Sequence, residues 1–509
     1  MKLTQVKNNI AALLIIPFII TSSCKKLDEN LNSELNREEA KTLASKTTTF
    51  ASLMQTVYLD MTVPFTDYAH HFGLQEATTD ELVVPSRPSG WDDDGVWRKL
   101  YLHSWDANHP YLLAAFNSLN KVVYDAGNVL TFNPPSDVAA QARFLRAYSM
   151  YSILDLFGKF PYREPGSDLI LLPKVYSGTE GINFIISEIE TILPDLPATG
   201  AAYVPTKQAA YGFLARLYLN KGVYPDRSKP TFDKVNMDKV IANADNITGK
   251  SFDFYWNNFQ PGNGDLSKEQ IFTLQGVGGS RGLLIQYWWY ASLIGSMTLP
   301  QGGGWNGFAT TPDFYGSFSE GDIRKSYTDP VVKAKGGFNV GFLVGQQYGP
   351  SGAALPNTII TPNITTLQGE TLYSGVRVVK YVPDYTNIGN PDNDFMFIRY
   401  ADIQLMKAEA LFRNGNVASA LVIVNTLRAA RSVTPGSLPP LTALTLDDLL
   451  AERGRELYWE GTRRPDLIRF GKFLNARLLK PASDNKYLVF AIPQTALLAN
   501  ANLTQNSGY

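Results

Sequence analysis

The hydrophobic positions of residues 399–430 predict two helices. Ala401, Leu405, Ala408 and Phe412 recur with the 3.6-residue period of one helical face. Gly415 interrupts this pattern between two asparagines, residue types that tolerate a left-handed turn. The next apolar face follows at Ala420, Val424 and Leu427. The pattern therefore predicts an antiparallel helical hairpin.

Residues 445–470 predict a third and a fourth helix. Thr445 precedes Asp448 by three positions, as in a capping box, and a leucine stripe follows. Gly461 is the predicted residue after the helix end, and Pro465 suits the first turn of another short helix. Charges of alternating sign in this stretch favour ion pairs between helices over a catalytic cluster. They are Arg453, Arg455, Glu456, Glu460, Arg463, Arg464 and Asp466.

Further helices are predicted upstream, and a loop-rich region separates the two helical parts. The upstream helices cover about 39–59, 111–130, 140–154 (ended by Gly158), 184–193 and a segment capped by Thr206. Between about 225 and 397 the helical period fades and glycine clusters appear, which indicates long loops with short strands. A short strand is also predicted over 487–492.

The N-terminus has the pattern of an export signal. Lys2 and Lys7 precede an apolar run from Ile10 to Ile20, which is too short to span a membrane. Small residues then precede Cys24, the sole cysteine of the 509 residues. We predict a signal peptide at 1–23, lipidation of Cys24 and a polar tether at 24–38. The alternative is an ordinary secretory signal with an incidental cysteine.

Composition excludes several classes of protein. Charged residues make up 18% and aromatic residues 12%, as in a folded, aromatic-rich protein. A formal charge of −1 without a basic patch argues against a nucleic-acid partner. The four histidines have no zinc-binding spacing. The glycine-rich segment 276–282 has Arg281 where a dinucleotide loop needs its third glycine.

Four segments resemble the SusD/RagB-like lipoproteins of Bacteroidota. They are residues 140–162 (AQARFLRAYSMYSILDLFGKFPY), 399–416 (RYADIQLMKAEALFRNGN), 452–473 (ERGRELYWEGTRRPDLIRFGKF) and 491–509. The resemblance implies a mainly α fold in which tetratricopeptide-like helical hairpins form a scaffold. It places a SusD-like domain at 39–509, with the scaffold at about 39–224 and 398–509 and the loop-rich insert at about 225–397.

The resemblance also implies a location and a partner. Proteins of this family are lipid-anchored at the outer face of the outer membrane, and they deliver glycans to a TonB-dependent, SusC-like β-barrel transporter. Their glycan site is a shallow surface platform formed by loops that correspond here to 87–97 and about 286–306. The resemblance thus implies where the site lies, but it assigns no individual residues to it.

Aromatic side chains with polar neighbours are the best candidates for ligand contact. A neutral sugar presents C–H faces and many hydroxyl groups, which suit an aromatic platform with a polar rim. Trp91 and Trp305 lie between glycine and polar residues, whereas Trp97 and Trp105 are predicted in the core. Strand-like alternation over 287–290 would expose about half of those rings. The predicted ligand-binding residues are Arg87, Trp91, Asp92, Asp94, Trp288, Tyr290, Trp305 and Asn306.

The sequence favours a binding protein over an enzyme. Asp92, Asp93 and Asp94 could provide an acid and a base for glycoside hydrolysis, but adjacent loop aspartates more often cap helices or bind hydroxyl groups. Calcium at this cluster is an open alternative, and no other cofactor is expected. We expect capture of an oligo- or polysaccharide. The alternatives are a peptide-binding member of the same family and, less favoured, a surface glycoside hydrolase.

Overall fold

The computed structural model describes residues 50–168 and 170–509. The predicted signal peptide, Cys24, the tether and the first part of the predicted helix at 39–59 lie outside the described residues. The remaining part of that helix is present as α1 at Phe50–Asp60. Among the described helices, none combines the length and the apolar character that crossing a membrane requires.

The N-terminal half of the described chain is helical. Long helices pack in sequence order, and Gly158 ends the helix before it with a φ of 74°, as predicted. Thr206 caps the predicted helix by accepting the amide hydrogen of Ala209 at 3.3 Å. The helices are α2 (Thr62–Thr66), α3 (His71–Glu76), α4 (Val96–Tyr101), α5 (Pro110–Leu130), α6 (Ser136–Phe157), α7 (Gly178–Ile192), α8 (Lys207–Asn220) and α9 (Lys234–Asp245). Helix α9 lies in the range predicted to be loop-rich, and it packs on α8.

Short helices and strands fill the middle of the chain. The helices are α10 (Asn263–Leu266), α11 (Gln286–Ser292), α12 (Pro312–Gly316) and α13 (Pro330–Gly336). The strands are β1 (Lys159–Tyr162), β2 (Lys174–Ser177), β3 (Gln270–Leu274), β4 (Thr298–Leu299), β5 (Gly302–Gly303), β6 (Ser326–Tyr327), β7 (Val340–Leu343), β8 (Gly345–Tyr348), β9 (Ala354–Ile360), β10 (Arg377–Val379) and β11 (Phe395–Arg399). They form small antiparallel sheets with orders β1-β2, β10-β7-β6, β11-β3, β4-β5 and β8-β9.

The C-terminal helices confirm most of the predicted pattern. They are α14 (Tyr400–Arg413), α15 (Val417–Ala430), α16 (Leu446–Leu457), α17 (Arg463–Arg469) and α18 (Gln494–Ala499). Helices α14 and α15 form the predicted hairpin, and both hydrogen bonds of the Thr445–Asp448 capping box are present. Pro465 lies in the first turn of α17. The fold is mainly α, as predicted.

One predicted helix end and one predicted strand are wrong. Helix α16 ends at Leu457, because Tyr458 turns to an extended conformation with a ψ of 138°. Gly461 instead occupies the left-handed region, with a φ of 71°, in the turn that follows. The strand predicted at 487–492 is absent: Asn485–Leu488 form a 3-10 helix, and 489–492 have no regular secondary structure. The apolar pattern of this segment reflects burial, since Phe490 donates its amide hydrogen to the Leu156 carbonyl in α6.

The predicted charge cluster is a buried ion-pair network. Glu456 on α16 bonds to Arg399 and Arg431 at 2.6 and 2.8 Å and to Arg324 at 2.9 Å. All four side chains are almost completely buried. The three arginines come from separate segments, so the network joins the C-terminal helices to the middle of the chain. The charges therefore form ion pairs between segments, as predicted.

Candidate functional site

Two loops that are distant in the sequence meet at the surface. The first loop contains a tight backbone pair in which Arg87 and Gly90 exchange hydrogen bonds of 2.9 Å. Trp91 follows with a φ of 69°, in the left-handed region that side chains other than glycine rarely adopt. Such a conformation costs free energy, so the contacts of the Trp91 ring must hold it in place.

The second loop, residues 304–308, packs closely against the end of α11. Asn306 and Gly307 donate amide hydrogens to the carbonyls of Leu293 and Ala291, at 2.8 and 2.7 Å. A Cβ atom on Gly307 would lie 2.2 Å from the ring of Trp91. Gly307 is therefore required where the two loops meet.

Trp91 and Trp305 are joined directly. The indole nitrogen of Trp91 donates to the backbone carbonyl of Trp305 at 2.7 Å. Trp305 leaves 39% of its surface exposed, while Trp91 is half-buried. Tyr287 and Tyr290 stack near Trp305, with centroid distances of 5.8 and 5.3 Å and interplanar angles of 24° and 25°. These contacts hold the exposed ring in a fixed orientation.

An open depression of ≈ 500 Å³ lies beside these rings. Its lining residues are Tyr68, Ser89, Trp91, Asp93, Gly304 and Trp305. We refer to these six residues together with Tyr287 as the aromatic platform. Burial raises the pKa of the Tyr68 phenol, and the charges of Asp67 and Asp93 raise it further. Tyr68 is therefore a protonated hydrogen-bond donor at neutral pH.

The aspartates beside Trp91 have different environments. Asp93 lines the depression, whereas Asp92 forms an exposed ion pair with Arg98 at 3.0 Å. Asp94 is exposed and is not a lining residue. Among the residues that the structure describes, no group of three or more histidine, cysteine, aspartate or glutamate side chains is arranged to hold a metal ion.

Arg87 and Asn306 were predicted to contact ligand, but both side chains are buried and are not displayed at the surface of the platform. The guanidinium of Arg87 donates to the carbonyls of Asn306, Thr371 and Ser374 at 3.0, 2.7 and 2.9 Å. Asn306 accepts a 2.7 Å hydrogen bond from Arg377. Burial lowers the pKa of Arg87 to about 10, which leaves it charged at neutral pH. Both residues hold the second loop in place from the interior of the protein.

Trp288 and Tyr290 were predicted to be exposed by strand-like alternation. Residues 286–292 instead form a helix, and both side chains are buried. Trp288 is fully buried, stacks on Phe72 at 3.8 Å and donates its indole hydrogen to the Thr66 carbonyl. Tyr290 is buried with 5% exposure, so it supports Trp305 from within. Tyr287 is the exposed ring of this helix, with 37% exposure. Trp97 and Trp105 are in the core, as predicted.

The predicted set of ligand-binding residues leaves out four residues of the platform: Tyr68, Ser89, Asp93 and Tyr287. A helical period applied to 286–292 would have shown that its four consecutive aromatic residues cannot alternate between two sides. Tyr68 lies between α2 and α3, where no local pattern marks it. It reaches the platform by tertiary packing, with its ring 6.3 Å from that of Trp91.

Comparisons with known proteins agree with this architecture. A model of the SusD family matches residues 353–509. The starch-binding protein SusD of Bacteroides thetaiotaomicron is 29% identical over 422 residues, which cover 73% of this chain and 72% of that protein.

Solved structures share the fold. A SusD superfamily protein from Parabacteroides distasonis aligns with a TM-score of 0.72 and 18% identity, over 94% of this chain and 100% of that one. Surface glycan-binding protein A from Bacteroides thetaiotaomicron, in complex with laminarihexaose, aligns with a TM-score of 0.63 and 17% identity, over 90% and 98% of the two chains. The match of the family model to residues 353–509, the similarity to SusD and the shared fold together support membership of the SusD/RagB-like family.

Proposed function

We propose that the protein binds a glycan at the aromatic platform without cleaving it. The observation that carries this proposal is the exposed face of Trp305, which is fixed by two stacked tyrosines and by the hydrogen bond from Trp91. An aromatic face of this kind packs on the C–H face of a sugar ring. Because the rings are held in place before binding, little side-chain freedom is lost on complex formation.

The polar rim suits the hydroxyl groups of a sugar. Ser89 and Asp93 line the depression beside the rings, and the protonated Tyr68 phenol adds a donor. Hydroxyl groups both donate and accept hydrogen bonds. The mixture of donors and acceptors in the rim therefore suits a neutral sugar. The names of two similar proteins, a starch-binding protein and a surface glycan-binding protein solved with laminarihexaose, support the same ligand class.

The geometry gives less support to the two alternatives. A hydrolase needs two carboxyl groups that flank the bond to be broken. Among the described residues, Asp93 is the one carboxylate that lines the depression. A cationic peptide would need a concentration of negative charge, but the nearby Asp92 is already paired with Arg98.

The delivery step is part of the same proposal. A lipid anchor on Cys24 would hold the protein at the outer face of the outer membrane, where it would pass its glycan to a SusC-like, TonB-dependent transporter. Support comes from the N-terminal sequence pattern and from the similarity to the SusD family. Labelling cells with a palmitate analogue tests the anchor, with Cys24→Ala as the control. Co-purification of the membrane-solubilised protein with a β-barrel partner tests delivery.

Titration calorimetry against plant and host polysaccharides and oligopeptides tests binding, with assays for new reducing ends in the same samples. We expect heat with one glycan, no new reducing ends, and a loss of about 1–2 kcal/mol, five- to thirtyfold in Kd, in Trp305→Ala. Tyr124→Ala is the matched control, because this ring is 60% exposed and outside the platform. Binding of oligopeptides alone would replace the proposal with the peptide alternative, and release of reducing ends would replace it with the hydrolase.

A further inference from the structure

A second pocket, separate from the aromatic platform, contains an arginine. It has a volume of ≈ 260 Å³ and lies between α1 and the chain that leaves β3. Its polar lining residues are Gln55, Tyr58, Thr62, Tyr203, Gln275 and Arg281, and we call it the Arg281 pocket. Gln55, Tyr58 and Thr62 recur with the spacing of one helical face.

The loops of the pocket are fixed by backbone contacts. Thr273 in β3 donates its amide hydrogen to the Ala202 carbonyl at 3.0 Å, which places Tyr203 beside the end of the strand. Val277 and Arg281 exchange backbone hydrogen bonds of 2.8 and 2.9 Å, so Arg281 projects from a short hairpin. The backbone from which Arg281 extends is therefore fixed by the fold.

Arg281 differs from Arg324, Arg399 and Arg431 of the buried network, each of which pairs with a glutamate. Its guanidinium donates to the side-chain oxygen of Gln275, and within the described part of the chain it forms no ion pair. The charge of Arg281 acts electrostatically on Asp394. The carboxylate of Asp394, however, already accepts hydrogen bonds from Thr273 and Gly276 at 2.9 and 3.0 Å. The remaining N–H groups of a planar, permanently charged guanidinium are left for a ligand.

The two tyrosines supply rings and donors. Tyr58 donates to the side-chain oxygen of Gln141 at 3.4 Å, a long hydrogen bond. Burial raises the pKa of the Tyr58 phenol, and the nearby Tyr203 raises it further, so Tyr58 stays protonated at any physiological pH. The pocket therefore combines one cation with phenol, amide and hydroxyl groups.

We propose that the Arg281 pocket is a second ligand site, which binds the carboxylate of an acidic sugar. A carboxylate accepts two parallel hydrogen bonds from a guanidinium, a geometry that a neutral sugar cannot provide. Gln55, Gln275 and Thr62 would then form hydrogen bonds with the hydroxyl groups of the sugar ring. The volume lies just below the ~300–1,000 Å³ of pockets for drug-sized molecules, which suits one sugar unit.

The chain limits how far the pocket can lie from the platform. Thr62 in the pocket and Tyr68 in the platform are six positions apart, as are Arg281 and Tyr287. Six residues span at most about 22 Å even when fully extended. The sugar class of this ligand rests on the proposed function, whereas the preference for a carboxylate rests on Arg281 itself.

Calorimetric titration of the purified full-length chain with tri-galacturonate, and with galactotriose of the same linkage, tests the proposal. We expect the acidic trimer to bind at least tenfold more tightly than the neutral one, and Arg281→Gln to abolish this difference. Arg281→Lys keeps the charge but loses the paired donors, so it should retain an intermediate preference. Arg163→Gln removes the same charge outside the pocket and should leave the preference intact, and thermal melts verify that each variant is folded.

Two further measurements separate this inference from the proposed function. Trp305→Ala should weaken the binding of a glycan at the platform and leave the preference for the acidic trimer unchanged. Equal affinities of the wild-type chain for both trimers would overturn the inference while the platform still binds its glycan. Acetate binding as tightly as tri-galacturonate would overturn the assignment of a sugar acid, because the hydroxyl partners would then contribute nothing.

Discussion

The indole N–H of Trp91 donates to the backbone carbonyl of Trp305 across 214 positions of the sequence, at 2.7 Å. This hydrogen bond joins the two loops of the platform. In Trp91→Phe the ring remains and the donor is lost, so we expect the 304–307 loop to loosen. A hydrogen bond of this type is worth about 0.5–1.5 kcal/mol, and we expect glycan affinity to fall about two- to twelvefold in calorimetry.

The same substitution elsewhere provides the control. Trp105 donates its indole hydrogen to the Tyr509 hydroxyl, also at 2.7 Å, and lies outside the platform. Trp105→Phe should lower the melting temperature to a similar extent without changing the Kd for glycan. If both variants bind as tightly as the wild type, the link between the two loops does not contribute to binding.

Gly307→Ala should disrupt the contact between the two loops. The added Cβ would lie 2.2 Å from the Trp91 ring, and an indole cannot bend away as a flexible side chain can. We expect a destabilisation of about 1–3 kcal/mol and a marked loss of glycan binding. Gly316→Ala is the matched control, since its Cβ meets nothing within 4 Å. Denaturant unfolding and calorimetry measure both effects, and unchanged binding in Gly307→Ala would contradict the packing described for Trp91.

Arg87→Met separates positioning from direct ligand contact. The substitution removes three hydrogen bonds to the carbonyls of Asn306, Thr371 and Ser374, while most of the apolar length of the side chain is kept. We expect faster amide hydrogen exchange in 304–307 and 371–375, together with weaker glycan binding. Weaker binding with unchanged exchange would show instead that Arg87 contacts the ligand, as its sequence context had predicted.

The helical scaffold is predictable from the sequence because local patterns determine it. Periodic apolar residues, the Thr445–Asp448 box and Gly158 act within a few residues of their own positions, and all are observed as predicted. Gly461 shows the limit of such signals. Its left-handed conformation was anticipated correctly, but the helix ends earlier, because Tyr458 packs in the core and its carbonyl accepts a hydrogen bond from Lys380.

The platform was only partly predictable, because its residues meet through tertiary packing. Glycine and polar neighbours correctly marked Trp91 and Trp305 as accessible. The same reasoning failed for Arg87 and Asn306, whose polar groups are satisfied by buried loop carbonyls and by Arg377. Nothing near Tyr68 in the sequence indicates that its ring will lie beside Trp91. Cys24 lies outside the described residues, and its lipidation stays a prediction.

Glu456→Gln tests the buried ion-pair network. Glu456 accepts hydrogen bonds from Arg324, Arg399 and Arg431, all of them buried. Loss of its charge would leave cations without full compensation, and we expect the free energy of unfolding to fall by about 3–5 kcal/mol. The control is Glu320→Gln, because Glu320 pairs with Lys325 while its side chain is 92% exposed. That pair should contribute at most about 1 kcal/mol. Urea denaturation measures both, and equal effects would mean that the network adds no stability beyond a surface ion pair.

A buried pair of glutamates should make stability depend on pH. Burial raises the pKa of Glu76 to about 7, and it raises the pKa of Glu81 well above its ordinary value, as does the charge of Glu76. Arg463, Lys380 and Asp80 are the other charges that act on the pair. Glu76 accepts the Gly461 amide hydrogen at 2.7 Å, and Glu81 accepts that of Trp459 at 3.1 Å.

The direction of the effect follows from proton binding. Between pH 4.5 and 7 the unfolded chain has released the Glu76 proton while the folded protein retains it, so the contribution of Glu76 to stability falls as the pH rises. Glu76→Gln removes this loss, because an amide does not ionise. We therefore expect the free energy of unfolding of Glu76→Gln to rise relative to that of the wild type between pH 5 and pH 8. The rise should be about 3 kcal/mol at most.

Urea denaturation at pH 5, 6, 7 and 8 measures this shift. Comparison of the two proteins at each pH cancels the titrating groups that do not interact with Glu76, such as His71, whose pKa burial lowers to about 4. Glu81 titrates together with Glu76, so the measured shift belongs to the pair. Glu180→Gln is the control, since its partner Lys174 is exposed and the pair lies at the surface. Its difference from the wild type should stay constant with pH. A constant difference for Glu76→Gln as well would mean that the folded protein ionises Glu76 as readily as the unfolded chain does.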